Sequence, residues 1–284
     1  MKCIRKLCDE RGERLMYLDF FGLNEYPFNV TSDPSFLYLS EQHREALAYM
    51  QYGIEARKGF LEITGEIGAG KTTVCKALLS KLNGSCRTAF ILHSDLSELQ
   101  LIEAILEDFG LTAPRRSKIA MVRELNRFLL EELKHHTNVV LILDEAQTLK
   151  VKTLETIRLL SNLETDKEKL MQIVLVGQPE LRRKLASPKL TQLRQRIGVR
   201  YHINPLPGGE IEKYIHHRLR VAGCRTGIEF GDGCYQRIHH YSGGVPRLIN
   251  LLCDRALLAS FVKGRRIIEL DVIERSVNEI EGEV

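Results

Sequence analysis

The chain has 284 residues, of which 44% are apolar and 27% charged, enough for one or two packed domains and too apolar for a disordered chain. No apolar run approaches the roughly 20 residues of a bilayer-spanning helix, and the amino terminus lacks the apolar core and cleavage site of a secretory signal. Seven cysteines without Cys-x-x-Cys spacing suit a reducing cytoplasm, no four-ligand zinc set is apparent, and a net charge of +4 permits an acidic partner without demanding nucleic acid.

Residues 1–15 read as a charged leader without periodicity, and the composition changes abruptly at Met16, which becomes a candidate start. Tyr26-Pro27-Phe28-Asn29-Val30 and Asp33-Pro34-Ser35-Phe36-Leu37-Tyr38 are aromatic and turn-rich, suiting an extended segment that lies against the core or over a base. Ser40 is placed to cap a helix from Glu41 to about Arg57, with Ala46, Leu47, Met50 and Ile54 facing inward.

Phe60 to Thr64 reads as a strand, and the next residues spell Gly-x4-Gly-Lys-Thr: Gly65, Glu66, Ile67, Gly68, Ala69, Gly70, Lys71 and Thr72, followed by Thr73 and Val74 at the start of a helix. Glycines let successive N–H groups turn onto phosphate oxygens, and the positive end of the following helix points at the same anion. Lys71 is expected to reach the β- and γ-phosphates of ATP and Thr72 to offer its hydroxyl to Mg²⁺.

A second strand is predicted over Thr88 to Leu92, then a helix opening at Ser97 or Glu98 and closing at Gly110. Pro114-Arg115-Arg116-Ser117-Lys118 is a basic connection, with Ser117 capping a helix that carries Ile119, Val122, Leu125, Leu129 and Leu133 on one side. Val139 to Leu143 is a continuous apolar strand, as a doubly covered parallel sheet requires, and it delivers Asp144 and Glu145 at its carboxyl end. Asp144 suits the Mg²⁺ shell, and Glu145 suits orienting and polarising the attacking water.

A helix from Thr153 to Leu163 precedes another buried strand, Met171 to Gly177, ending at Gln178, an amide placed to sense the γ-phosphate. Arg194 and Arg196 precede a fifth strand, Val199 to Ile203; either guanidinium could neutralise phosphoryl charge from a neighbouring subunit. Asn204 to Gly209 breaks the pattern, and everything beyond reads as helical. Helices are expected from Ile211 to Ala222, from an Asp232 cap to Tyr241, from Pro246 to Val262, and from an Asp271 cap onward. Arg247 falls on the first turn of the third of these, where a positive charge is electrostatically unfavourable without another reason.

Together, Phe21-Gly22-Leu23, Tyr26-Pro27-Phe28, Phe36 to Ser40, Gly65 to Thr73, Leu143 to Gln147, Val176 to Leu181, Leu193 to Arg196 and Gly243 to Arg247 resemble the AAA+ ATPases of the general secretion pathway protein A type, from about residue 16 to the end. The resemblance implies an α/β P-loop NTPase base at 16–205, with a five-stranded parallel sheet and helices on both faces, and a small all-helical lid at 206–284. It implies an ATP hydrolase, with Lys71 and Thr72 as Walker A, Asp144 and Glu145 as Walker B, Gln178 as sensor 1, Arg194 or Arg196 as the finger and Arg247 as sensor 2. It also implies self-assembly as a ring or dimer, and cytoplasmic work on a secretion or envelope-assembly partner, peripheral to the inner membrane through that partner. Transposition helper ATPases share the core motifs, so a DNA-associated ATPase is the less favoured alternative, and a nucleotide switch with little turnover is a third reading.

Overall fold

The computed structural model describes residues 17–29, 33–82, 84, 86–92, 96–165, 168–224 and 227–282. The charged leader, Met16, Cys3, Cys8 and Val30 lie outside these. The described chain separates into two compact units, one formed by Glu41–Ile67 and Lys71–Asn204, the other by the residues up to Ser40, Gly68–Gly70 and Pro205 onward.

In chain order, α1 (Tyr17–Phe21) belongs to the second unit and α2 (Glu41–Glu55) opens the first. Then follow β1 (Phe60–Gly65), α3 (Lys71–Leu82), β2 (Cys86–Ile91), α4 (Glu98–Asp108), α5 (Lys118–Lys134) and β3 (Asn138–Leu143). The unit closes with α6 (Val151–Leu160), β4 (Gln172–Gly177), α7 (Pro179–Leu185), α8 (Thr191–Gln195) and β5 (Ile197–Ile203). The five strands form one parallel sheet in the order β2-β3-β4-β1-β5.

Both sheet faces are covered, which explains the unbroken apolar runs. Val139, Leu141 and Leu143 of β3 join a core with Leu101 and Ile105 of α4, Leu125 of α5 and Ile157 of α6. The alternate residues Val140 and Ile142 point to the opposite face and are equally inaccessible. On that opposite face α2 approaches so closely that a Cβ on Gly53 would meet Leu61 of β1 at 2.5 Å.

Local signals place several ends correctly. Ser97 and Gln100 form a reciprocal capping box on α4, Ser117 accepts from the Ala120 N–H on α5, and Gly110 takes φ +73° just beyond α4. Other ends differ by a few residues: α2 stops at Glu55, α3 already begins at Lys71, α6 runs from Val151 to Leu160, and β5 starts two residues early at Ile197.

The second unit departs further from expectation. Its helices are α9 (Gly208–Val221), α10 (Cys234–Ser242), α11 (Pro246–Lys263) and α12 (Leu270–Glu281), but it is not wholly helical. Between them lie β6 (Glu229–Phe230) and β7 (Ile267–Ile268), paired in parallel. Strands of two residues are too short to show periodicity, and their pairing shifts the helix starts that follow. Gly233 at φ +79° stands at the α10 N-cap instead of Asp232, and Glu269 at the α12 N-cap instead of Asp271, neither with a side-chain cap bond. Asp271 instead pairs with Lys263 at 3.0 Å.

The amino-terminal segment, expected in the nucleotide-binding base, packs with these helices. Tyr17, Phe21, Phe28 and Phe36 share a core with Ile215, Leu219, Ile249 and Leu257. Arg218 of α9, almost fully buried, ties the segment down by donating to the carbonyls of Pro27 at 2.5 Å and Asn29 at 2.9 Å, with its guanidinium 4.8 Å from the Phe36 ring centre. The aromatic-rich turn is therefore core and clasp in this structure. No helix among the described residues is long and apolar enough to cross a membrane.

Candidate nucleotide site

The site is assembled at the carboxyl ends of β1, β3 and β4, where the parallel strands release their chains. Beyond β1, Gly68 and Gly70 take φ +80° and +89°, conformations costly for a residue with a Cβ, and the loop turns directly into α3 at Lys71. Ala69 is buried, whereas Glu66 and Ile67 are exposed and Thr73 is half-buried on α3.

Lys71 is only 5% exposed, and its ammonium donates to the carbonyls of Gly65 and Glu66, both at 2.8 Å. Burial pulls its pKa below the usual lysine value, against the opposing pull of the Glu145, Asp144 and Glu66 carboxylates. A buried cation held by neutral carbonyls is poised to gain from an anion.

The hydroxyl of Thr72 donates to Asp144 Oδ2 at 2.6 Å, and Asp144 Oδ1 accepts the Glu145 N–H at 2.8 Å. Asp144 is 2% exposed; burial raises its pKa above the ordinary value, partly countered by those two hydrogen bonds. The Thr72 hydroxyl and the Asp144 carboxylate are thus brought into contact across 72 positions of sequence.

Glu145 leaves β3 in the left-handed region at φ +53°, ψ +33°, and heads the short turn Ala146–Thr148. Non-glycine residues rarely adopt this backbone, and such residues cluster at functional sites. Its carboxylate Oε2 accepts from Gln147 Nε2 at 2.5 Å and from Gln178 Nε2 at 3.2 Å, while Gln147 Oε1 accepts the Gln178 N–H at 3.0 Å. The sheet order makes this triangle possible. β4, later in sequence, is inserted between β3 and β1, so its terminal Gln178 emerges beside Glu145.

Sequence reasoning gave Gln147 no role. The only signal was an amide two residues beyond a strand-end carboxylate, and its partner on β4 becomes visible only with the sheet order. The neighbouring Gly177 has no room for a side chain, since a Cβ there would meet Gln147 Oε1 at 2.6 Å. Lys184 of α7 also secures the turn, donating to the carbonyls of Gln147 and Leu149.

Neither Arg194 nor Arg196 is gathered with these groups. Arg196 is half-buried and donates to Ser161 Oγ at 3.0 Å, whereas Arg194 on α8 is exposed. Arg247, exposed on the first turn of α11, lies against the phosphate loop, where a Cβ on Gly68 would meet its Cβ at 2.4 Å.

The AAA domain family matches residues 54–185 of the chain. A stretch of 268 residues, 94% of the chain, is 45% identical to general secretion pathway protein A of Aeromonas hydrophila. The chain belongs to the AAA+ family, of the general secretion pathway protein A type. It spans about half, 49%, of that relative's length. Among solved structures, this AAA+ chain is similar in fold to Cdc6p of Pyrobaculum aerophilum, with a TM-score of 0.66 and 18% identity over 87% of this chain and 71% of that one. It is likewise similar to ORC2 of Aeropyrum pernix, solved in ADPNP and ADP complexes, with a TM-score of 0.65 and 17% identity over 90% and 72% of the two chains. At these identities the likeness concerns the fold: a P-loop NTPase sheet with flanking helices.

Proposed function

We propose that this AAA+ chain binds Mg-ATP and hydrolyses it to ADP and phosphate, and that turnover drives assembly or remodelling of a secretion or cell-envelope complex. One observation carries the chemistry: Lys71, the Thr72–Asp144 pair, Glu145 and Gln178 converge at the ends of three neighbouring strands. The setting is supported by the likeness to general secretion pathway protein A.

In this reading, the N–H groups of residues 65–73 and the Lys71 ammonium bind the phosphate chain. Thr72 and Asp144 fit magnesium: one hydroxyl and one buried carboxylate are hard oxygen donors, and such a site leaves its other positions to phosphate and water. Magnesium, when bound, neutralises charge on the β- and γ-phosphates. Glu145 orients the attacking water and takes up its proton, and the Gln178 amide reports the γ-phosphate to the same carboxylate. A second copy in a ring or dimer supplies Arg194 or Arg196, and Arg247 links the nucleotide to the helical unit. The work is done in the cytoplasm, at the inner membrane through a membrane-protein partner.

The DNA-associated alternative leans on Arg115, Arg116 and Lys118 together with Lys150 and Lys152. Arg116 lies 2.9 Å from Glu103 and Lys118 lies 2.7 Å from Glu98, so two of those five cations already have carboxylate partners.

Calorimetry with ATP and magnesium, followed by turnover measurements on the wild type and Glu145→Gln, tests the proposal. Binding in both with hydrolysis only in the wild type is expected. Absence of binding overturns the nucleotide reading, and equal, negligible turnover in both favours a switch. DNA binding at low salt that weakens steeply with added salt would favour the alternative setting.

A further inference from the structure

Glu62 sits in the middle of β1, the strand that carries the phosphate loop, with a carboxylate only 2% exposed. A buried carboxylate is costly unless it is well paired. The register of the sheet sets Glu62 opposite Arg200 of β5, whose Nε lies 3.2 Å from Glu62 Oε2. Arg182 of α7 approaches Oε1 at 3.5 Å, too far for a good hydrogen bond, and Oε1 has none among the described residues. This charge is not needed to pair β1 with β5, because backbone hydrogen bonds already do that.

The other arm of Arg200 shows where the pairing leads. Its NH2 group donates to the backbone carbonyl of Arg194 at 2.6 Å. That carbonyl lies in the last turn of α8, where it also accepts from the N–H of the C-cap residue Arg196. One guanidinium therefore joins β1 to the backbone of Arg194. The Arg194 side chain is left exposed, with no hydrogen bond or ion pair to any described residue, and with Gln195, Ile197 and Arg200 it lines a surface cavity of 400 Å³. Arg196, two residues on, is by contrast occupied by Ser161.

We propose that Glu62 and Arg200 are positioning residues that hold Arg194 out as the guanidinium that contacts the nucleotide of a second copy of this chain. The inference rests on the reading that hydrolysis uses an arginine from a neighbouring copy. It chooses Arg194 over Arg196 and adds the strut behind it. The strut needs a planar fork with two donors at fixed spacing, which a lysine at position 200 cannot reproduce.

The test uses the full chain and measures ATP turnover together with binding of a non-hydrolysable ATP analogue. Arg200→Lys and Glu62→Gln are expected to lower kcat about tenfold while leaving KM and analogue affinity within about twofold, as for an interaction made only in the transition state. Mixing Arg200→Lys with Lys71→Ala should then restore turnover above the sum of the two alone. Lys71→Ala copies cannot hold ATP but still present a correctly held Arg194 to their neighbours. Wild-type kcat in a folded Arg200→Lys or Glu62→Gln overturns the strut. So does a failure of the Arg200→Lys mixture where the parallel mixture of Arg194→Ala with Lys71→Ala recovers, and in that case the neighbouring-arginine reading stands. Wild-type turnover in Arg194→Ala overturns both. If Arg200→Lys does not fold, Glu62→Gln, which keeps the side-chain volume, decides alone.

Discussion

The Gln147 amide donates to the Glu145 carboxylate at 2.5 Å, and through its carbonyl oxygen the same side chain holds the Gln178 N–H at 3.0 Å. Gln147 therefore fixes the residue proposed to activate water and connects it to the residue proposed to sense the γ-phosphate. Replacing it with leucine keeps the bulk and removes both bonds. A kcat about tenfold to a hundredfold lower is expected, as for a slightly misplaced catalytic group, with ATP affinity retained. Steady-state kinetics beside analogue binding decides it, and unchanged kcat would remove Gln147 from the mechanism.

Lys71→Ala should abolish the stabilisation that ATP confers. At a nucleotide concentration about a hundredfold above Kd, binding is worth about 2.7 kcal/mol, or about 5–10 °C in Tm for a protein of this size. The wild type should show that shift with ATP and magnesium in a thermal melt, and the variant should show none. An equal shift in the variant would refute the role given to the buried ammonium.

His202 and His217 both have pKa values lowered from 6.5, in each case chiefly by burial, with Arg182 adding to the effect at His202 and Arg220 and Arg218 at His217. As pH falls through 6.5, the unfolded chain takes up protons that the folded imidazoles still refuse. Stability is therefore lost over that window and levels off below the folded values. His217→Phe removes one such group, along with a buried Nε2 that has no hydrogen-bond partner among the described residues, and keeps a ring to pack on Tyr38. The fall in Tm between pH 7 and 5 should be smaller in the variant, and an unchanged fall would show that His217 is not responsible.

Arg218→Leu removes the donor that now satisfies the buried carbonyl of Pro27. A cost of about 1–3 kcal/mol for that buried acceptor is expected in denaturant unfolding. Cleavage after Phe28 by chymotrypsin should also become faster, because that bond lies in the segment the arginine ties down. Resistance equal to the wild type would mean that the aromatic cluster holds the segment without it.

The chemistry-bearing stretches were legible because phosphate binding is a local device. Eight contiguous residues from Gly65 to Thr72 carry the turn, the N–H groups, the cation and the hydroxyl, and unbroken apolar runs such as Val139 to Leu143 announce strands covered on both sides. Caps that act within one turn, Ser97 and Ser117, were equally readable. Strands of two residues were not, and with them went the starts of α10 and α12.

Which distant residues meet was decided by tertiary structure alone. The aromatic residues between Tyr26 and Tyr38 suit packing against a core but do not say which, and Phe28 and Phe36 went to the helical unit because its core and Arg218 offered the partners. Strand order is likewise a property of the assembled sheet. Only the insertion of β4 between β3 and β1 sets Gln178 and Gln147 on Glu145, and only the pairing of β1 with β5 sets Arg200 on Glu62 and so under Arg194. Hydrogen bonds and ion pairs of this kind form over about 3 Å, and separation along the chain carries almost no information about distances that short.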